Sequence, residues 1–394
     1  MANVTCTDMA LPRVLGALAA LTGLLLACSP AAEKPAASPA PKTSNSSSAV
    51  PARPVTPACG EGPALLAGMS TRDKLAQLLM VGVTDAADAR AVVDTHHVGG
   101  IMIGSWTDLS MVGGPLADIA KSAGPLPLAV SVDEEGGRVS RLSDVIGEQP
   151  SPRVLAQTKT PAEVHDIALQ RGEAMRKLGI TIDFAPVVDV TTESDDEVIG
   201  DRSFGSDPAQ VTDFAGAYAQ GLRDARLLPV LKHFPGHGHA SGDSHQGGVV
   251  TPQLADLQAN DLVPYRTLTT QSPVAVMVGH MQVPGLTGSD PASLSPDAYA
   301  LLRSGGYGGP PFGGLVFTDD LSSMGAINQR YGVADAVLRG LQAGADIGLW
   351  VTTGEVTAVL DRLEKALAAG ELAQSRVDES VLRLAAVKGP NPRC

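Results

Sequence analysis

Leu228-Pro229-Val230-Leu231-Lys232-His233-Phe234-Pro235-Gly236-His237-Gly238-His239 begins as an almost unbroken apolar run and ends in a glycine-rich turn. A run of this kind suits a parallel strand buried on both faces, since a half-exposed strand would alternate apolar and polar residues. Seven further runs have the same character: Leu78–Val83, Val98–Gly104, Leu126–Asp133, Ile180–Pro186, Val274–His280, Gly314–Asp319 and Ile347–Val351. Stretches rich in Ala, Leu, Asp and Arg separate them, with helical character. Eight strand–helix units predict an α/β fold, a single (β/α)8 TIM-type barrel over residues 60–394. No Gly-x-Gly-x-x-Gly follows the first run, which weakens a dinucleotide-binding reading.

Upstream of the barrel the composition changes twice. Residues 1–27 read as a lipoprotein signal peptide, with Arg13 ahead of an uncharged run from Val14 to Leu26. That run is short for a bilayer span and right for an export signal. It ends Leu25-Leu26-Ala27-Cys28, which looks like a lipobox, so Cys28 is the expected site of lipidation. Residues 28–59 carry seven prolines and the run Ser46-Ser47-Ser48. Too little apolar surface is available there to offset the entropy of ordering, so a disordered tether is expected. The expected location is the outer face of the cytoplasmic membrane, facing the cell wall. Cys59 and Cys394 flank the barrel. They either form one disulfide in an oxidising compartment or remain free thiols near the ends. The formal charge of −13 argues against nucleic acid as a partner.

Polar residues gather at the ends of the predicted strands: Asp133, Asp183, Lys232, His233, His280 and Asp319. In a barrel these ends share one rim, where active sites form. The loop after Phe234 adds His237, His239, Asp243 and His245. Asp243 and His245, two apart in an extended loop, are placed to hydrogen-bond, and a carboxylate beside an imidazole makes an acid/base group near neutral pH. The clustered histidines also permit a Zn²⁺ site, but they lie on a Gly/Pro loop without a thiolate, and no metal or organic cofactor is expected.

Lys232-His233-Phe234-Pro235-Gly236-His237-Gly238, four residues, then Asp243-Ser244-His245 resembles the signature of the NagZ-type β-N-acetylglucosaminidases of glycoside hydrolase family 3. Ser131–Arg141, Ile199–Gly205 and Phe317–Leu321 resemble three further family segments, and the resemblance spans about Ser70 to Val387. It implies an exo-acting retaining enzyme that releases terminal N-acetylglucosamine from peptidoglycan fragments. By the same resemblance Asp319 is the nucleophile, Asp243 and His245 are the acid/base dyad, and Asp133, Arg141, Arg202, Lys232 and His233 hold the sugar. His237 and Asp189 fall in matching motifs with supporting roles. Asp320 competes with Asp319 as nucleophile, although bracing the next turn is its expected part. Glu134 and Glu135 are expected to orient backbone or to lie exposed, and Lys232 and Arg202 to keep Asp319 ionised. Three rivals accompany this reading: a family 3 β-glucosidase, a phosphorylase, and a sugar-binding lipoprotein. The first usually carries a second domain with a Glu acid/base, and the last needs neither Asp319 nor the His245 loop. The aglycone and the oligomeric state are not legible.

Overall fold

The computed structural model describes residues 56–394. The signal peptide, Cys28 and nearly all of the tether lie outside the described residues.

Among the described residues eight strands make one sheet: β1 (Leu79–Val83), β2 (Gly100–Ile103), β3 (Ala129–Val132), β4 (Ile182–Asp183), β5 (Leu228–Phe234), β6 (Ala275–Val278), β7 (Val316–Thr318) and β8 (Gly348–Trp350), while the short segments Val249–Val250 and Met281–Gln282 pair apart from it. Every residue in the eight is buried. Each apolar run of the sequence holds one strand. They pair in parallel in chain order, and β8 returns to β1 with Met80 opposite Leu349. Between β7 and β8 the Thr318 N–H donates to Ile347 O at 3.0 Å and Phe317 bridges Ile347, so the sheet closes on itself. The expected barrel is present.

Helices cover the outside. The longest, Pro161–Lys177 and Pro208–Asp224, each start with Pro in the first turn, where its missing N–H costs nothing. Thr160 and Glu163 form a reciprocal capping box ahead of the first. In this alternation helices run back against the strands, so their C-termini and the strand starts form one pole, and the strand ends form the other.

Both chain ends of the described region sit at the pole of the strand starts. Ala58 is buried, and its N–H donates to Pro125 O at 3.0 Å, just ahead of β3. The last residues of the expected disordered tether are therefore folded against the barrel. Cys59 and Cys394 are joined, with 5.7 Å between their Cα atoms. This decides in favour of the disulfide. Asn391 and Arg393 also bond the backbone of residues 123–125, which ties the C-terminus to the same place.

Candidate active site

A cavity of about 230 Å³ opens at the pole of the strand ends. Asp133, Arg141, Arg202, Lys232, His233, His245 and Asp319 all line it. Asp243 lines an adjoining groove, which His245 and Arg202 share. The residues singled out in the sequence thus converge, from strands far apart in the chain.

On β5, Lys232 and His233 are consecutive, and in a regular strand they would face opposite sides. The pairing of β5 with β6 shifts register between Leu231 and Phe234, an irregularity that re-aims side chains and lets both reach the cavity. The Lys232 ammonium lies 2.6 Å from Asp133 Oδ1 and 2.6 Å from Glu135 Oε1. Arg202 grips Glu135 with Nε and Nη2, both at 2.8 Å. Burial pushes the Glu135 carboxyl up, but Arg202 and Lys232 outweigh it and hold the group well below the carboxylate range. Burial likewise works against the Lys232 cation, and Asp133 and Glu135 reverse it. Asp133, Glu135, Lys232 and Arg202 thus form one fixed, charged network. Arg141 also lines the cavity and has no carboxylate partner among the described residues.

Two expectations need correction here. Glu134 and Glu135 are not exposed: both are almost fully buried. Glu134 does orient backbone, accepting from the N–H groups of Arg141 and Leu142 at 2.8 Å each, and it pairs with Arg171. Nor are Lys232 and Arg202 the main groups that hold Asp319 ionised, since each is engaged with Asp133 or Glu135. Asp319 follows the last residue of β7. Burial pushes its carboxyl up, but the imidazoles of His280 and His233 and the Asp320 N–H, 2.8 Å from its Oδ1, hold it below the usual range.

Asp320 braces the turn that comes next. Its carboxylate accepts from Ser322 N–H at 2.8 Å and Ser323 N–H at 3.0 Å and from both hydroxyls, so it has no lone pair to spare for chemistry. His280 donates Nε2–H to Asp320 O at 2.7 Å and meets Ser293 Oγ through Nδ1 at 2.6 Å.

The histidines go to separate partners. His233 Nδ1 lies 2.7 Å from Asp189 Oδ2, His237 Nε2 is 3.2 Å from Ser244 Oγ, and His239 Nδ1 is 2.9 Å from Asp261 Oδ1. Among the described residues no group of three or more His, Cys, Asp or Glu side chains is arranged to hold a metal ion. His245 Nδ1 is 2.8 Å from Asp243 Oδ1, which also accepts the His245 N–H at 2.9 Å. Burial raises Asp243, and the His245 contacts bring it below its ordinary value. Most of the His245 side chain is open, at 61% exposure, so a proton on Nε2 is within reach of a bound molecule.

The loop bearing this pair rests on the short helix Gly325–Asn328. Gly325 N–H donates to His245 O at 2.9 Å and Ala326 N–H to Ser244 O at 3.1 Å. A Cβ on Gly325 would stand 2.6 Å from the Gln246 carbonyl carbon, so only glycine permits this approach. Sequence reading missed Glu135 as an anchor and Trp106 at the rim. Of the two tryptophans, Trp350 is wholly buried and Trp106 is 43% exposed on the cavity wall. Its position just after the second apolar run was the available signal.

Residues 70–387 match the Glycosyl hydrolase family 3 N terminal domain. The chain belongs to glycoside hydrolase family 3. A β-hexosaminidase named LpqI from Mycobacterium tuberculosis is 67% identical over 389 residues, covering 98% of this chain and all of that one. The solved M. tuberculosis LpqI structure superposes with a TM-score of 0.85 at 70% identity, over 86% of this chain and 100% of that chain. A family 3 glycosyl hydrolase of Mycobacterium smegmatis gives 0.82 at 78% identity, over 82% and 99%. A family 3 β-N-acetylglucosaminidase from a Paenibacillus species gives 0.76 at 32% identity, over 81% of this chain and 62% of that chain.

Proposed function

We propose that this family 3 chain is an exo-acting, retaining β-N-acetylglucosaminidase that removes terminal N-acetylglucosamine from peptidoglycan fragments of the GlcNAc–MurNAc kind. The observation that carries the reading is the pairing, around one cavity, of a carboxylate held ionised at a strand end with an exposed imidazole oriented by its own carboxylate. Retaining glycosidases need a nucleophile and a proton donor about the same bond. Asp319 takes the first part and His245 the second.

The positions support the following chemistry. An Asp319 oxygen attacks the anomeric carbon, and the bond to the leaving oxygen breaks as His245 Nε2–H protonates it. The sugar is then an ester of Asp319. Neutral His245 next takes a proton from water, which attacks the same carbon and frees Asp319. Asp243 keeps the tautomer with Nε2 outward and steadies the imidazolium. Asp133, Lys232, Arg202, Arg141 and His233 hold the sugar hydroxyls and acetamido group, so the anomeric carbon sits before Asp319. The cavity of about 230 Å³ suits one ring at a chain end, which favours exo action.

The tether and Cys28 suit an enzyme anchored by lipid to the outer face of the membrane and working on wall fragments. The domain limits that go with this reading are a signal over 1–27, a tether from Cys28 and a barrel over 60–394, with the end of the tether, Ala58 and Cys59, folded against the barrel.

The deciding experiment is hydrolysis of nitrophenyl β-N-acetylglucosaminide and the matching β-glucoside, with Asp319→Asn alongside. The expected result is turnover of the acetylated sugar alone and a loss of about 10³-fold or more in the variant, the scale of removing a nucleophile. Turnover of the glucoside alone, or full activity in Asp319→Asn, would sink the assignment. Mass spectrometry of the protein purified from membranes tests the diacylglyceryl group expected on Cys28.

A further inference from the structure

A second cavity, about 540 Å³, opens at the opposite pole of the barrel. Its floor is apolar, built from Leu128, Ile182, Leu227, Leu228, Pro273 and Leu384 among others. Four cations stand around it: Arg176, Arg223, Arg226 and Lys388. Three of them close the helices Pro161–Lys177, Pro208–Asp224 and Gln374–Lys388. Basic residues in a last helical turn complement the helix dipole, and that alone accounts for bases at these three ends. It does not account for the absence of ion pairs among them, Asp224 acting on Arg223 only from beyond contact distance.

None of the four has a carboxylate within ion-pair distance among the described residues, in a chain with 42 acidic and 29 basic side chains. The bonds they make go to neutral oxygens. Lys388 donates to Gln77 Oε1 at 3.1 Å and to Gly99 O, Arg176 to Ile180 O at 3.0 Å, and Arg223 to the side-chain oxygens of Gln220 and Gln271. The Arg223 Nη1 group is buried and has no acceptor at all. Burial pulls the Lys388 ammonium down to about 7, with no opposing charge to restore it.

The same barrel shows the alternative solution. Arg303, Arg376 and Arg383 also converge, and there Asp346 stands at their centre, 2.6 to 3.1 Å from each. Around the second cavity Arg176 and Arg226 are open to water and Arg223 and Lys388 are half-buried, so positive charge gathers at its mouth with no carboxylate in contact to balance it, an arrangement that favours an anion.

We infer that the cavity bounded by Arg176, Arg223, Arg226 and Lys388 is a binding site for an amphiphilic anion, a phosphate or carboxylate head carried on a short apolar body. The head lies among the four cations, and the apolar part lies on the Leu128–Leu227–Leu384 floor. The volume is within the ordinary range of small-molecule pockets. The site is separate from the sugar cavity and does not rest on the proposed glycosidase activity. Either a free amphiphile or the head of a bilayer phospholipid has this chemistry.

The test uses the full chain with Cys28→Ser, which removes any acyl group that would confound lipid binding. Calorimetric titration with dihexanoylphosphatidic acid, which is monomeric at working concentrations, is expected to give one saturable site. Its affinity is expected to exceed that of inorganic phosphate at least tenfold and to drop at least tenfold in the double variant Arg226→Gln/Lys388→Gln. Sedimentation with phosphatidylglycerol vesicles, but not phosphatidylcholine vesicles, would assign the bilayer as the source. Phosphatidic acid binding without vesicle binding would assign a free amphiphile. No saturable heat with phosphatidic acid, or equal affinity in the double variant, overturns the inference. Circular dichroism and the melting temperature of the double variant report its fold independently of any enzymatic readout.

Discussion

Glu135 touches no reacting atom in the proposed chemistry, yet it fixes two residues that would hold the sugar. Removing its charge strands Arg202 and leaves Lys232 to Asp133 alone in a buried setting, a change that typically costs about 3–5 kcal/mol. Glu135→Gln is expected to lower the melting temperature by several degrees and to raise KM more than it lowers kcat; an unchanged KM would show the network to be structural only. His245→Ala is expected to slow hydrolysis about 10²- to 10⁴-fold, the usual worth of a positioned acid/base group. The loss is expected to be smallest for nitrophenyl substrates, whose leaving group needs little protonation, and a loss independent of leaving group would remove His245 from the donor role. At this scale the sequence was legible where a residue carries its signal in its neighbours. Lys232, His233, Asp243 and His245 stand in one dense segment with a specific spacing. Glu135 was misread because burial is a tertiary property: a Glu beside two glycines looks like a loop charge until Lys232 arrives from β5. The source of the low Asp319 pKa was misread for the same reason, since Lys232 and Arg202 are near in the cavity but already matched to other carboxylates.

Among the elements, the strands were the easiest to read and the shortest of them the hardest to bound. Ile180–Pro186 is an apolar run of ordinary length, yet only Ile182 and Asp183 form regular ladder. Past Asp183 single bonds to both neighbours persist, Phe184 N–H to Val132 O of β3 at 2.8 Å and Val230 N–H of β5 to Ala185 O at 2.9 Å, but the pairing is no longer regular and only an isolated bridge joins Val187 to Lys232. The lower end of the barrel is held by Asp346, just before β8, which binds Arg303 and Arg376–Arg383 on two flanking helices. Burial raises its carboxyl, and the three guanidiniums more than reverse this, leaving it below the ordinary value. A carboxyl depressed in the folded state contributes stability that is complete above about pH 4, its unfolded value, and is lost as pH falls through the lower folded value. Thermal melts from pH 7 to pH 2 are therefore expected to show a steep decline below pH 4. Asp346→Asn is expected to melt lower at neutral pH, by about 3–5 kcal/mol, and to flatten that acid limb. An unaltered acid limb would assign the decline to other carboxylates.

Among the described residues the one covalent crosslink joins residues 335 apart. In the chain-entropy model, closing a loop of that length stabilises by up to about 5 kcal/mol, with strain and residual unfolded structure reducing the figure. Cys394→Ser is expected to lower the melting temperature while leaving kcat/KM at 25 °C within about twofold, because the crosslink lies at the pole away from the sugar cavity. A large fall in kcat/KM would mean that the two poles are coupled. The pairing was open in the sequence because two cysteines at the ends of a domain meet only if the fold brings those ends together. A closed barrel does so, since its last strand returns to its first.

That closure also gives the protein a natural handle. Ala58 and Cys394 emerge side by side at one pole and the sugar cavity faces out from the other. Beads, surfaces or fusion partners coupled through either terminus therefore hold the barrel by its base, with the mouth free for the end of a long, bulky polymer.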